Sequence, residues 1–269
     1  MKIGIFDSGI GGLSLLYELS ARLPDAEFIY FADSENAPYG EKGVDEIVDL
    51  TDRAVGFLFE RGVDAVVLAC NTATAAAARV LRTKYPDRHI FGMEPAVNEA
   101  AKNIKTGKIL ATATPLTLGG EKYHNLLDRT GAEDRTLSLP LPMLVRLAER
   151  ELFDRAKPQC EDAEDYVRER LDSIGTNADE IAAVVLGCTH FIYFTEAFLR
   201  LIPDRPIFNG ISGPASHVIN TLGLAPDPSG ARTPTESTMR RTEFYISGKE
   251  ADEKSLRGFE NCLDMLGRI

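Results

Sequence analysis

Short uninterrupted apolar runs alternate along this chain with stretches whose apolar residues recur at helical spacing. The first pattern predicts buried parallel strands and the second amphipathic helices. Strands are expected over 2–6, 27–32, 63–69, 89–93, 108–113, 181–186, 206–208 and 242–247. Leu13, Leu16, Tyr17 and Leu23 share one helix face, and Val44, Ile47, Val48, Thr51, Val55 and Leu58 share another. An alanine-rich helix follows Cys70, and further helices are expected over 117–130, 143–152, 161–175, 191–202 and 213–222. A last helix carries Leu256, Phe259, Leu263 and Leu266. The segment 223–241, rich in Pro, Ser and Thr, reads as the longest loop.

The α/β alternation implies a mostly parallel sheet, and the chain repeats part of itself. Val66-Val67-Leu68-Ala69-Cys70, followed by Asn71-Thr72, is echoed by Val184-Val185-Leu186-Gly187-Cys188, followed by Thr189-His190. More loosely, the run from Lys108 to Thr114 echoes the run from Lys2 to Ser8. Two echoes in the same order suggest duplicated halves. Pro95 breaks the pattern where the chain leaves for a second lobe, and the C-terminal strand and helix pack back on the first. The expected fold is therefore α/β with two pseudo-symmetric lobes, each a mostly parallel sheet flanked by helices. Residues 1–95 plus 213–269 form the first lobe and 96–212 the second.

The composition, 44% hydrophobic and 26% charged over 269 residues, is that of an ordinary globular chain. A net charge of -11 repels phosphate backbones and anionic membranes, so no nucleic-acid or membrane partner is expected. The apolar run before Asp7 is too short for a secretory signal, and nothing later approaches a membrane span; a cytoplasmic setting is expected. The cysteines at 70, 160, 188 and 262 are too scattered for a disulfide scaffold.

Chemistry concentrates at the two echoed cysteines. A thiol at the carboxyl end of a strand, where a helix begins, sits where open α/β sheets keep their ligands. There the helix dipole is expected to favour the thiolate. A nucleophilic cysteine, as in a hydrolase, needs only one thiol and a histidine. Stereoinversion at carbon needs a base on each face of the substrate, and matched thiols meet that demand. Asn71-Thr72 and Thr189-His190, with free helix-start N–H groups, offer carboxylate donors without arginine. Asp7 and His190 are the nearest groups able to exchange protons with the thiols. The residue pattern alone also fits two small buried cysteines at strand ends, and leaves both readings open.

Other motifs are weaker. Asp7-Ser8-Gly9-Ile10-Gly11-Gly12 is a glycine-rich turn, but Ser14 spoils the dinucleotide pattern and no Walker lysine follows. Pro38-Tyr39-Gly40 is turn chemistry that presents a hydroxyl. Cys262 lies on the apolar stripe of the last helix, and Cys160 has no partner pattern. Cys188 and His190 lack an accompanying Cys-x-x-Cys, so no metal site is expected.

Phe6-Asp7-Ser8-Gly-Ile-Gly-Gly12, Pro38-Tyr39-Gly40, Cys70-Asn71-Thr72-Ala-Thr74, Gly92-Met-Glu-Pro95, Gly187-Cys188-Thr189-His190 and Phe244-Tyr-Ile-Ser-Gly248, in this order, resemble the glutamate racemases. These belong to the wider group of cofactor-independent aspartate and glutamate racemases. The resemblance implies an active site between two α/β lobes, with Cys70 and Cys188 alternating as acid and base without cofactor or metal. It implies that Asp7 and His190 assist, and that Asp7, Ser8, Tyr39, Gly40, Asn71, Thr72, Thr189 and His190 line the substrate site. Glu149, in Pro142-Met-Leu-Val-Arg-Leu-Ala-Glu149, loosely matches a further family glutamate; its alternative is a solvated helix position. Interconversion of L- and D-glutamate for peptidoglycan, and a homodimer, are further implications. Aspartate as substrate, or a catalytically silent amino-acid-binding relative, are the alternatives. Two departures stand out: Phe191-Ile192-Tyr193 replaces the usual Tyr-Pro-Leu, and Asn209-Gly210 stands where an aspartate is usual.

Overall fold

The computed structural model describes residues 1–151, 160–229 and 233–269. Among these residues the strands are β1 (Lys2–Asp7), β2 (Glu27–Ala32), β3 (Ala65–Leu68), β4 (His89–Gly92), β5 (Lys108–Ala113), β6 (Thr136–Pro140), β7 (Ile181–Leu186), β8 (Ile207–Phe208), β9 (Thr242–Ile246) and β10 (Lys249–Glu250). They form one sheet in the order β10-β9-β2-β1-β3-β4 and another in the order β6-β5-β7-β8. Every pairing is parallel except β9 with β10. In each sheet the earliest strand is central, the second lies to one side and the third to the other. The carboxyl ends of β1 and β3, and of β5 and β7, therefore border a point where the connections diverge, the place where such sheets open a crevice.

Side chains alternate across the sheets with the period of two that strands impose. Ile3, Ile5, Ala65 and Val67 face one apolar cluster, while Phe6, Val66 and Leu68 face another. The first cluster continues into the second sheet through Leu110, Val184 and Leu186, so one core underlies both. Central strands buried on both faces explain why their sequences are apolar without interruption.

Several expectations shift. The helix expected over 117–130 is two helices, Pro115–Gly119 and Glu121–Thr130, because Gly120 is extended (φ -80°, ψ 147°). β6 was not legible: Leu137 and Leu139 alternate with polar residues on an edge strand of which only Leu139 is buried. The segment 223–241 contains the helix Thr235–Arg240, while 230–232 lie outside the described residues. The helix expected over 143–152 spans Pro142–Glu151; residue 152 and the side chain of Cys160 lie outside the described residues. β9 and β10 are joined by Ser247 (φ 46°) and Gly248 (φ 89°), the two successive left-handed residues of a tight hairpin turn.

Arg241 ties β9 to the start of the chain. Its guanidinium donates to the carbonyls of Ser20, Leu23 and Ala26 at 2.9–3.1 Å, and to Ser20 Oγ at 2.9 Å. Charged hydrogen bonds contribute about 1.5–3 kcal/mol, and removing the donor strands its acceptors. Arg241→Ala is expected to cost about 2–3 kcal/mol in a urea titration while leaving the kinetic constants near wild type at low temperature. No helix among the described residues is long and apolar enough to cross a membrane.

Candidate active site

Most of the candidate residues follow the carboxyl end of a strand. Asp7 is the last residue of β1 and Ser8 follows it, Cys70 follows β3, Thr114 follows β5 and Cys188 follows β7. Cys70 is the N-cap of the helix Asn71–Lys84, and its Sγ accepts from the Ala73 N–H at 3.4 Å. Ser8 Oγ lies 3.5 Å from the same sulfur. The helix N–H favours the thiolate, as expected, but burial and the nearby Asp7 carboxyl outweigh it. They push the Cys70 thiol up to about 12. The sequence-based expectation of a lowered thiol pKa is thus reversed at Cys70, because dehydration costs an anion more than one weak sulfur hydrogen bond returns.

Cys188 differs locally from its echo. An α-helix was expected to begin beyond it, but Thr189–Phe194 is a 3-10 turn and the α-helix starts only at Thr195. The helix-dipole argument therefore does not apply to Cys188. Its partner is instead His190, whose Nδ1 lies 3.8 Å from the sulfur. His190 Nε2 meets Glu149 Oε1 at 2.6 Å, and the same oxygen accepts from the Ile10 N–H at 2.8 Å. Burial opposes protonation of the imidazole, yet its hydrogen bonds to Cys188 and Glu149 prevail and hold its pKa well above the ordinary histidine value. Glu149 is thus not a solvated helix glutamate: it joins the first-sheet turn to the histidine beside Cys188.

Asp7 accepts from the Gly9 N–H at 2.9 Å and from Thr189 Oγ1 at 3.1 Å. Complete burial raises its pKa despite His190 nearby and these donors. On the Cys70 side, Thr72, Thr114 and Thr117 form a buried hydroxyl triangle with edges of 3.0–3.3 Å. Asn71 is also buried, and its Oδ1 has no hydrogen-bond partner among the described residues. Tyr39 is buried with its hydroxyl on Asp33 Oδ2 at 2.6 Å, so it is held rather than free. Asp33 also accepts from Asn36 and Ser247.

Thr114, Thr117 and Asp33 were not singled out from the sequence. For Thr114 a signal existed, since the echo of Lys2–Ser8 by Lys108–Thr114 sets it opposite Ser8. The Asn209-Gly210 departure is backbone chemistry: Asn209 Oδ1 accepts from the Ile211 N–H at 3.3 Å, and Gly210 is left-handed (φ 59°) ahead of the helix Ser212–Thr221. Cys262 is buried in the core, as its helical stripe predicted. Among the described residues no group of three or more His, Cys, Asp or Glu is arranged to hold a metal ion.

Two sheets that each deliver a cysteine past the end of their third strand, joined by hydrogen bonds from one half to the other, define an α/β enzyme of the racemase class. The chain belongs to the Asp/Glu/Hydantoin racemase family, whose sequence model matches residues 14–212. It is 43% identical over 272 residues to the glutamate racemase of Halothermothrix orenii, with all of both chains covered. It is also 43% identical over 277 residues to that of Lachnospira eligens, again over both full lengths. Among solved structures it resembles Escherichia coli glutamate racemase in complex with L-glutamate and the activator UDP-MurNAc-Ala. That match has a TM-score of 0.76 at 28% identity and covers 93% of this chain and 99% of the other.

Proposed function

We propose that this chain interconverts L- and D-glutamate by direct proton transfer at the α-carbon, with Cys70 and Cys188 on opposite faces of the substrate. The observation that carries the reading is the placement of both thiols at equivalent strand ends, each with its own proton partner. In one direction the Cys188 thiolate takes the α-proton while the Cys70 thiol delivers its proton to the opposite face; in the other the roles exchange. The C–H bond broken and the C–H bond formed balance, so no cofactor enters.

Burial keeps Cys70 protonated in the resting enzyme and suits it to act first as the acid. His190 is placed to hold the proton that Cys188 gives up, and Glu149 steadies the imidazolium. Asp7 serves both halves as the buried carboxyl nearest the two sets of groups. The unpartnered Asn71 carbonyl matches a substrate ammonium, since a buried acceptor left unpaired costs about 1–3 kcal/mol. Ser8, Thr72 and Thr189 supply hydroxyls for the carboxylates, with Tyr39 and Gly40 closing the site. On this reading the lobes divide at 95/96 and 212/213, and the chain works in the cytoplasm as a homodimer supplying D-glutamate for peptidoglycan.

Purified protein incubated with L-glutamate in deuterated water is expected to yield D-glutamate deuterated at the α-carbon. A parallel incubation with L-aspartate is expected to run at least tenfold slower. Absence of both exchange and inversion with either amino acid overturns the reading, and a faster aspartate reaction reassigns the substrate.

A further inference from the structure

Resting on this two-base reading, the geometry points to Tyr193 as a positioning residue that sets the Cys188 half of the site through the backbone of Ile10. Tyr193 occupies one of the positions at which this chain departs from the usual Tyr-Pro-Leu, and its side chain is buried. Its hydroxyl donates to the Ile10 carbonyl at 3.1 Å. The N–H of that same residue donates to Glu149 Oε1, which holds His190 Nε2, whose Nδ1 faces Cys188. Four contacts therefore run from the phenol to the sulfur, each between a buried or half-buried pair. Tyr30 adds a second pin on the turn by donating to the adjacent Gly9 carbonyl at 2.7 Å.

Gly9, Ile10 and Gly11 lie in no helix or strand. The Ile10 carbonyl also accepts from the Leu13 N–H at 3.2 Å and the Gly11 carbonyl from Ser14, so the turn is tied locally and the phenols fix it against the rest of the fold. Tyr30 reaches it from β2 within the first sheet, and Tyr193, from the turn after Cys188, couples the two halves. The other ionisable groups close to the Tyr193 hydroxyl are Asp7, Glu149 and Cys262. Cys262, on the last helix, is buried in the same apolar cluster as Tyr193.

The test uses the full-length enzyme. Tyr193→Phe keeps the ring and removes the donor; it is expected to lower kcat about tenfold with KM within twofold. The limb of the kcat pH profile due to the His190 imidazole is expected to move to lower pH, because a loosened Glu149 contact holds the imidazole proton less firmly. In a Glu149→Gln background the same change is expected to have no further effect on kcat, because the carboxylate charge through which it acts on His190 is already removed. Should Tyr193→Phe not fold, Tyr30→Phe provides the second variant, with a smaller fall of the same kind. An unchanged pH profile with unchanged kcat, or a full tenfold fall persisting in the Glu149→Gln background, overturns the positioning role. An inactive wild type would instead overturn the two-base reading itself.

Discussion

Replacing Cys70 or Cys188 by serine is expected to abolish measurable racemisation, lowering kcat by about 10²–10⁴-fold, the range associated with a positioned acid or base. The more informative outcome is what each variant keeps. With one thiol gone, the other still removes the α-proton from the enantiomer that faces it and returns a solvent proton to the same side. Each variant should therefore wash out the α-proton of one enantiomer only, and the two variants should choose opposite enantiomers. Proton NMR of L- and D-glutamate incubated separately in deuterated water reads this directly. If both variants exchange the same enantiomer, or racemise at wild-type rates, the thiols do not face opposite sides of one carbon.

The pH dependence of that half-reaction has a definite sign. Cys188→Ser must rely on Cys70 as its base, and a thiol near 12 is almost wholly protonated at neutral pH. Its thiolate fraction rises tenfold for each pH unit until the pKa is approached, so exchange by this variant should climb steeply between about pH 7 and 9. A flat profile there would mean that substrate binding, or another group, deprotonates the thiol first.

Gly11→Ala is the second change with a large expected effect. A Cβ at this position would press on Thr189 Oγ1 and stand 2.8 Å from the His190 backbone nitrogen and 2.7 Å from its Nδ1. The backbone nitrogen cannot swing aside, and Thr189 is already bonded to Asp7. Overpacking of this kind costs about 1–3 kcal/mol. Because the displaced residues directly follow Cys188, a shift of about 1 Å at the sulfur is expected to lower kcat about 100-fold. Gly43→Ala is the control, since nothing lies within 4 Å of a Cβ there, and its stability should stay within about 0.5 kcal/mol of wild type. Urea titration and steady-state kinetics on the two variants separate the effects. An active, fully stable Gly11→Ala protein would show that the turn has more room than its contacts indicate.

Much of the architecture was legible in local pattern. The uninterrupted Val-Val-Leu runs identify strands buried on both faces, and the polar residues after each run mark where those strands surface. The two cysteines are found that way, as are Asp7 and His190. β6 escaped because an edge strand buries too little to impose an apolar period. The α-helix expected after Cys188 failed because Phe191, Phe194 and Phe198 suit a helix equally well as a 3-10 turn leading into one.

Sequence alone therefore determined the alternation of strand and helix, the duplicated cysteine motif and the family to which it belongs, because strand and helix periods are properties of neighbouring residues. Only the tertiary structure decided the chemical character of the site. Whether Cys70 is driven toward thiolate by its helix or away from it by burial depends on which segments exclude water around it. Glu149 meets His190 across 41 residues of sequence, and Tyr193 meets Ile10 across 183, so neither pair leaves a local trace. Desolvation and hydrogen bonding act through space, and only the folded chain specifies which groups share that space.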